Sequence, residues 1–203
     1  MPRRSILIPF LAAALLFAGC AGARFGLAGA AGSGQVRSEA AGARLDLRLP
    51  ERAAVVHDHN TADVYLTDLS PATLERLATG APAPEVSGIL VHVHVFLNPK
   101  PGRTPIENTA ASATARVVVV SRGQVGVYDA AGFLMPGDSL KNNAAAGVLR
   151  NAATRLSRAT PGFQDLLGPA RTELSFSARA DRETADRIGA ALRTLALSAD
   201  PVD

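Results

Sequence analysis

The chain has little of the chemistry by which many proteins are recognised. It has one cysteine, Cys20, no tryptophan, seven phenylalanines and two tyrosines among 203 residues. A single cysteine excludes an internal disulfide. The sequence also lacks Gly-x-Ser-x-Gly, a Walker phosphate loop and His-Glu-x-x-His, which are signatures of common hydrolases, nucleotide-binding proteins and metalloproteases. The motifs therefore indicate no reaction class.

The N-terminal residues predict export. Arg3 and Arg4 precede an apolar run at residues 6–18, and small residues follow it. A charged, an apolar and a small-residue segment in this order are typical of a secretory signal peptide. The run is shorter than the about 20 apolar residues that a membrane-spanning helix needs. The two arginines also faintly resemble a twin-arginine signal, so both export routes stay open.

Residues 16–20, Leu-Phe-Ala-Gly-Cys, resemble the lipobox of bacterial lipoproteins. The resemblance implies that the Cys20 sulfur carries lipid, palmitate among its acyl chains, and that cleavage leaves Cys20 as the N-terminus. It also implies a lipid-anchored protein of the cell envelope, with the membrane as its partner. Ala21 stands where an Asp tends to retain Gram-negative lipoproteins in the inner membrane. The resemblance therefore favours the outer membrane.

Composition divides the chain into three segments. Residues 1–19 form the signal peptide, and residues 20–43 are predicted to be the lipidated cysteine with a flexible Gly/Ala-rich tether. Residues 44–203 are predicted to form a single globular domain. The chain has 21 basic and 18 acidic side chains, and two of the basic ones leave with the signal peptide. The near-neutral balance of the rest predicts no nucleic-acid binding.

The folded part is predicted to be mainly β. Apolar residues alternate with polar ones, or β-prone residues run together, in eight segments. These are residues 44–49, 53–59, 63–69, 86–97, 114–121, 124–128, 152–159 and 171–179, and a short strand at 133–135 follows a turn at 129–132. Residues 144–158 also suit a helical face, which is the alternative to the strand at 152–159. Ser70-Pro71 predicts a short helix to Thr79, and Asp181 predicts a final helix to about Leu195. Seven to nine strands with a C-terminal α-helix indicate a β-sandwich, and a partly closed β-barrel is the alternative.

All four histidines occur as His-x-His pairs, and the residues are His57, His59, His92 and His94. In a strand, residues two apart project from the same face, so each pair can offer two imidazoles to one ion. If the two strands are neighbours, four nitrogens converge, and imidazole suits Zn or Cu. Asp58 would face away from such a site, whereas Asp63 and Tyr65 approach it through the turn. Half-buried, hydrogen-bonded histidines without a metal are the alternative.

Residues 98–105 form a proline-rich connection that carries Lys100 and Arg103. A stiff cationic loop beside the histidine strand is a candidate binding loop, and a solvated connection is the alternative. The leading functional hypothesis is a membrane-anchored envelope lipoprotein whose domain binds a ligand or has a structural role. A Zn- or Cu-binding envelope lipoprotein is the second hypothesis, and a histidine-dependent hydrolase is the third.

Overall fold

The computed structural model describes residues 32–99, 110–137 and 143–202. Cys20, Lys100 and Arg103 lie outside these residues, so the predictions made for them stay predictions. The described strands are β1 (Ser33–Ser38), β2 (Arg44–Arg48), β3 (Glu51–Val56), β4 (Ala62–Thr67), β5 (Gly88–Val95), β6 (Ala113–Ser121), β7 (Gln124–Pro136), β8 (Ala144–Ala159), β9 (Ala170–Arg179) and β10 (Asp200–Pro201). The described helices are α1 (Pro71–Ala78) and α2 (Arg182–Ser198).

The strands form one antiparallel sheet in the order β2-β1-β9-β8-β7-β6-β5-β4-β3, with β10 on β8, and the sheet curls into a half-barrel. Its edges come close, because only Leu49 and Pro50 join the edge strands β2 and β3, a link that spans about 10 Å. The prediction of a mainly β protein with a C-terminal helix is confirmed. The single curled sheet matches the partly closed barrel better than a sandwich of two sheets.

The inner face of the sheet holds the larger core. On β5 the alternate residues Ile89, Val91, Val93 and Val95 are buried, and they face the equally buried Val64 and other apolar residues of the neighbouring strands. This alternation of burial has the two-residue period of a strand that has one face in the core and the other outside it. Because the inner face is mainly apolar, most polar side chains of these strands project from the outer face.

The two helices cover part of that outer face. Ser70 accepts a hydrogen bond from the backbone N–H of Thr73 at the start of α1, and Asp181 does the same for Thr184 at the start of α2. A second apolar cluster forms between the helices and the outer face, where Ile188 of α2 is completely buried. The predicted capping residues of both helices are therefore confirmed, and the remainder of the outer face is left without a helix.

Four local features differ from the sequence predictions. β1 lies inside the predicted tether 20–43, so the folded part begins before Arg44. β3 ends at Val56, before the first histidine pair. The predicted turn at residues 129–132 is part of β7, which continues through two register shifts against β8. The predicted pairing of residues 152–159 with 171–179 is present, although it runs from Ala144 to Thr154 on β8.

Neither α1 nor α2 is long and apolar enough to cross a membrane, and the described ranges contain no other helix.

Candidate functional site

Asp63 is the centre of a cluster of three histidines. Its Oδ2 accepts a hydrogen bond from Nε2 of His57 at 2.7 Å. Its Oδ1 accepts hydrogen bonds from Nε2 of His92 and from Nδ1 of His94, each at 2.8 Å. An ionised carboxylate only accepts hydrogen bonds, so each of these ring nitrogens carries a proton. Asp63 thereby fixes the tautomer of each neutral ring, and we call these four residues the Asp63 cluster.

The strand order explains why Asp63 has this position. β4 lies between β3 and β5, and Asp63 pairs directly with His94. His92 projects from the same face of β5 two residues earlier, next to Tyr65 of β4. The condition for four converging nitrogens, that the two histidine pairs lie on neighbouring strands, is therefore not met. Strand β4 lies between β3 and β5, and its Asp63 is hydrogen-bonded to histidines of both pairs.

Only three of the four predicted histidines meet. After β3 the chain turns, and Asp58 holds the turn by accepting hydrogen bonds from the backbone N–H groups of Asn60 at 2.6 Å and Thr61 at 2.8 Å. The turn brings His57 to Asp63. His59 contacts its neighbour Asn60 instead, with 3.1 Å between His59 Nε2 and Asn60 Nδ2. The prediction of two imidazoles from one strand fails for this pair because neither residue lies in a strand.

The hydrogen bonds control the ionisation of Asp63. Burial of this carboxyl, whose side chain is 19% exposed, by itself raises its pKa. The hydrogen bonds from His92, His57 and His94 outweigh burial and hold the pKa of Asp63 well below its usual range. Asp63 is therefore ionised at every pH at which the protein is expected to function.

Tyr65 links the cluster to helix α2. Its ring stacks on His92 with centroids 4.6 Å apart and an angle of 10° between the planes. Gly189 of α2 lies over the tyrosine, and a Cβ at this glycine would be 3.2 Å from Tyr65 Cε1. Burial, and then the negative charge of Asp63, raise the pKa of the Tyr65 hydroxyl. The ring is therefore a neutral, fixed support for His92.

The described residues contain no group of three or more His, Cys, Asp or Glu side chains arranged to hold a metal ion. In the Asp63 cluster the nitrogens are directed at carboxylate oxygens over hydrogen-bond distances. The side-chain hydrogen bonds of these three histidines within the described ranges all go to Asp63, and none goes to a serine or threonine hydroxyl. The hypothesis of a histidine-dependent hydrolase therefore stays a prediction, with no serine or threonine contact to these histidines among the described residues.

A groove opens on the part of the outer face that the helices leave uncovered. Five residues that pair across successive strands form one row along it, and they are His94, Thr114, Ala131, Ala153 and Arg171. At about 4.8 Å per strand, the two ends of this row are about 19 Å apart. The three residues between the ends have short side chains and form the floor of the groove, and the longer side chains around them form its walls.

We call this site the strand groove, and its volume is about 770 Å³. Its lining comprises Glu39, His92, His94, Thr114, Ala115, Arg116, Asp129, Ala130, Ala131, Ala153, Thr154, Arg155, Pro169, Ala170 and Arg171. One side is a second cross-strand row in which Asp129 stands between Arg116 and Arg155. Burial by itself raises the pKa of Asp129. Hydrogen bonds from Arg116 and Ser157 and the charges of both arginines hold it below its usual range.

A smaller cleft of about 420 Å³ adjoins the strand groove, because His92 and Arg116 line both. It lies between the sheet and α2, and we call it the helix cleft. Its lining comprises Tyr65, His92, Arg116, Arg158, Gly189, Leu192, Arg193, Ala196 and Leu197. The Asp63 cluster thus holds His92 where the two spaces meet.

Compared with known protein families, with characterised proteins and with solved structures, the chain shows no significant match.

Proposed function

We propose that the chain is a lipid-anchored protein of the bacterial envelope whose folded domain binds a small ligand in the strand groove. The observation that carries the binding role is the groove itself. Its volume of about 770 Å³ falls within the range of roughly 300–1,000 Å³ that is usual for small-molecule sites. It combines an apolar floor with a few ionisable side chains, as such sites do.

The N-terminal residues support the anchored location. The only cysteine, Cys20, follows a signal-peptide pattern and ends the residues that resemble a lipobox. β1 begins at Ser33. If residues 21–31, the part of the predicted tether 20–43 that precedes the described residues, form a flexible coil, they span about 20 Å. The groove would then work close to the membrane surface, with access to molecules of the envelope.

Filling the floor tests the binding role. Ala153 is exposed in the middle of the groove, so Ala153→Leu should block the groove while leaving the inner core intact. We expect that mass spectrometry of the full-length protein, purified from its membrane fraction, finds a small molecule with the wild type that is lost in Ala153→Leu. Ala72→Leu, at an exposed alanine of α1, should retain it. Equal small-molecule content in all three proteins would contradict a binding groove.

A second candidate function is Zn or Cu binding, and the convergence of three imidazoles on one carboxylate favours it. Metal–nitrogen bonds of about 2.0–2.1 Å need unprotonated nitrogens directed at the ion. The nitrogens of His92 and His94 that contact Asp63 carry protons, so an ion would have to bind the opposite ring nitrogens while Asp63 orients the rings. The described residues contain no group arranged to hold an ion in this way, which makes metal binding the less supported of the two functions.

Calorimetric titration of the full chain with zinc and with copper tests this candidate. Metal binding at the cluster predicts heat with the wild type and with His59→Ala, because His59 lies outside the cluster. It predicts no such heat with a His92→Ala, His94→Ala double variant. Identical heats in all three proteins would remove the metal hypothesis for these residues.

A further inference from the structure

Building on the proposed ligand-binding role, we infer that the strand groove and the helix cleft together bind an amphiphilic organic anion. A phosphate or carboxylate group would lie at the arginines of the helix cleft, and the apolar body would extend over small and apolar side chains.

Positive charge is concentrated around these two spaces. Their linings contain five arginines, namely Arg116, Arg155, Arg158, Arg171 and Arg193, against the two carboxylates Asp129 and Glu39. The chain without its signal peptide has nearly equal numbers of basic and acidic side chains. The helix cleft has three arginines and one histidine but no acidic residue in its lining. A concave surface of one sign raises the local concentration of ligands of the opposite sign.

The two carboxylates already have partners. Asp129 accepts a hydrogen bond from Arg116 at 2.8 Å, and Glu39 accepts one from Arg171 at 2.6 Å. Within the described ranges, Arg158 and Arg193 form no ion pair. Nε of Arg158 donates to the carbonyl oxygen of Ala199. The planar guanidinium group offers paired N–H donors that match phosphate and carboxylate oxygens.

Apolar side chains lie beside these cations. Leu192, Ala196 and Leu197 line the helix cleft, and Leu197 is 73% exposed although it is a large aliphatic residue. The floor of the strand groove offers the methyl groups of Ala131 and Ala153. An anion with an apolar body would cover both surfaces. A bare inorganic anion would use only the arginines.

A set of probes with one body and different charges tests the inference. Naphthyl phosphate, naphthyl glucoside and naphthylmethylammonium carry a negative, a neutral and a positive group, and inorganic phosphate lacks the apolar body. With the full chain in non-ionic detergent, we expect naphthyl phosphate to bind at least tenfold more tightly than each of the others, as measured by calorimetry.

Variants then locate the bound anion. Arg193→Gln should weaken naphthyl phosphate binding about tenfold, since a charge-assisted hydrogen bond is lost. Arg182→Gln, at an exposed arginine of the same helix outside the cleft, should not change it. Unfolding temperatures that agree among the three proteins exclude a folding defect as the cause. Equal loss in both arginine variants, or loss in neither, would overturn the assignment to the helix cleft.

The outcome also separates this inference from the proposed function. If the anionic probe does not bind, and Ala153→Leu abolishes binding of the neutral or cationic probe, the ligand is not an anion but the groove is still the binding site. If Ala153→Leu alters no binding at all, both ideas fail. Phosphatidylglycerol, added in the same detergent, that displaces naphthyl phosphate would assign the anion to a lipid headgroup. Phosphatidylglycerol without effect would assign it to a soluble molecule.

Discussion

Replacing Cys20 by serine should abolish incorporation of labelled palmitate and remove the protein from the outer-membrane fraction. The serine hydroxyl cannot form the thioether through which the proposed lipid is attached. Stable membrane binding needs roughly two membrane signals, such as two acyl chains. The variant would lose every acyl chain whose attachment depends on the sulfur. Labelling of growing cells, followed by fractionation and mass spectrometry of the N-terminus, measures both effects. The wild type should begin at Cys20 and carry the mass of the lipid.

Ala21→Asp is the matched control for this experiment. The resemblance to Gram-negative lipoproteins predicts that it keeps the palmitate label and shifts the protein from the outer to the inner membrane. The two variants thus separate attachment of the lipid from sorting after attachment. Palmitate labelling that persists in Cys20→Ser, or a wild type that keeps residues 1–19, would refute the lipid anchor.

Local patterns in the sequence were sufficient for most of the strands and both helices. On β5 the alternation of Ile89, Val91, Val93 and Val95 predicts a buried face, which the structure has. The pattern predicts the wrong structure where apolar and polar residues do not alternate along a segment. Residues 129–132 begin with an aspartate and end with a glycine, both of which are typical of turns. They nevertheless belong to β7 and pair with β6 and β8, because the neighbouring strands supply the partners. Tertiary context here overrides local preference.

The site was harder to predict because it depends on register between strands. The sequence indicates that His92 and His94 share a face, and that Asp63 is nearer to them than Asp58. It does not indicate that β4 lies between β3 and β5, which is what puts Asp63 in contact with three rings. The prediction that His59 joins the cluster is wrong because β3 ends at Val56, three residues before it.

The strand groove could not be predicted from composition at all. Its floor needs small residues at matching positions of three successive strands, Thr114, Ala131 and Ala153, and that match depends on the register between the strands. Likewise, the near-neutral charge balance gives no sign of the arginines around the helix cleft, since Arg116 on β6 and Arg193 on α2 meet only in the folded protein. Charge counted along the chain therefore misses charge concentrated on one surface.

Asp63→Asn should lower the free energy of unfolding by about 2 kcal/mol, since hydrogen bonds to a charged group contribute roughly 1.5–3 kcal/mol each and these histidines are partly exposed. The asparagine oxygen can accept from one ring, but its NH₂ group faces the N–H of another. In a domain of this size the change corresponds to a fall in Tm of about 4–8 °C, which thermal unfolding measures. Asp46→Asn is the control, because Asp46 is exposed and its ion pair with Arg44 should contribute at most about 1 kcal/mol.

The dependence on pH identifies the carboxylate as the cause. The pKa of Asp63 in the folded protein lies below the unfolded value of about 3.9, so its ionised form stabilises the fold at any pH above that value. This contribution decreases as the pH falls from about 4 towards the folded-state pKa, because over that range the unfolded state binds a proton that the folded state does not. The difference between the wild type and Asp63→Asn should therefore persist above about pH 4 and shrink below it. If the difference in the free energy of unfolding stays constant down to pH 2, the variant acts by disturbing packing. The positions of the three histidines at the groove would then not depend on the charge of Asp63.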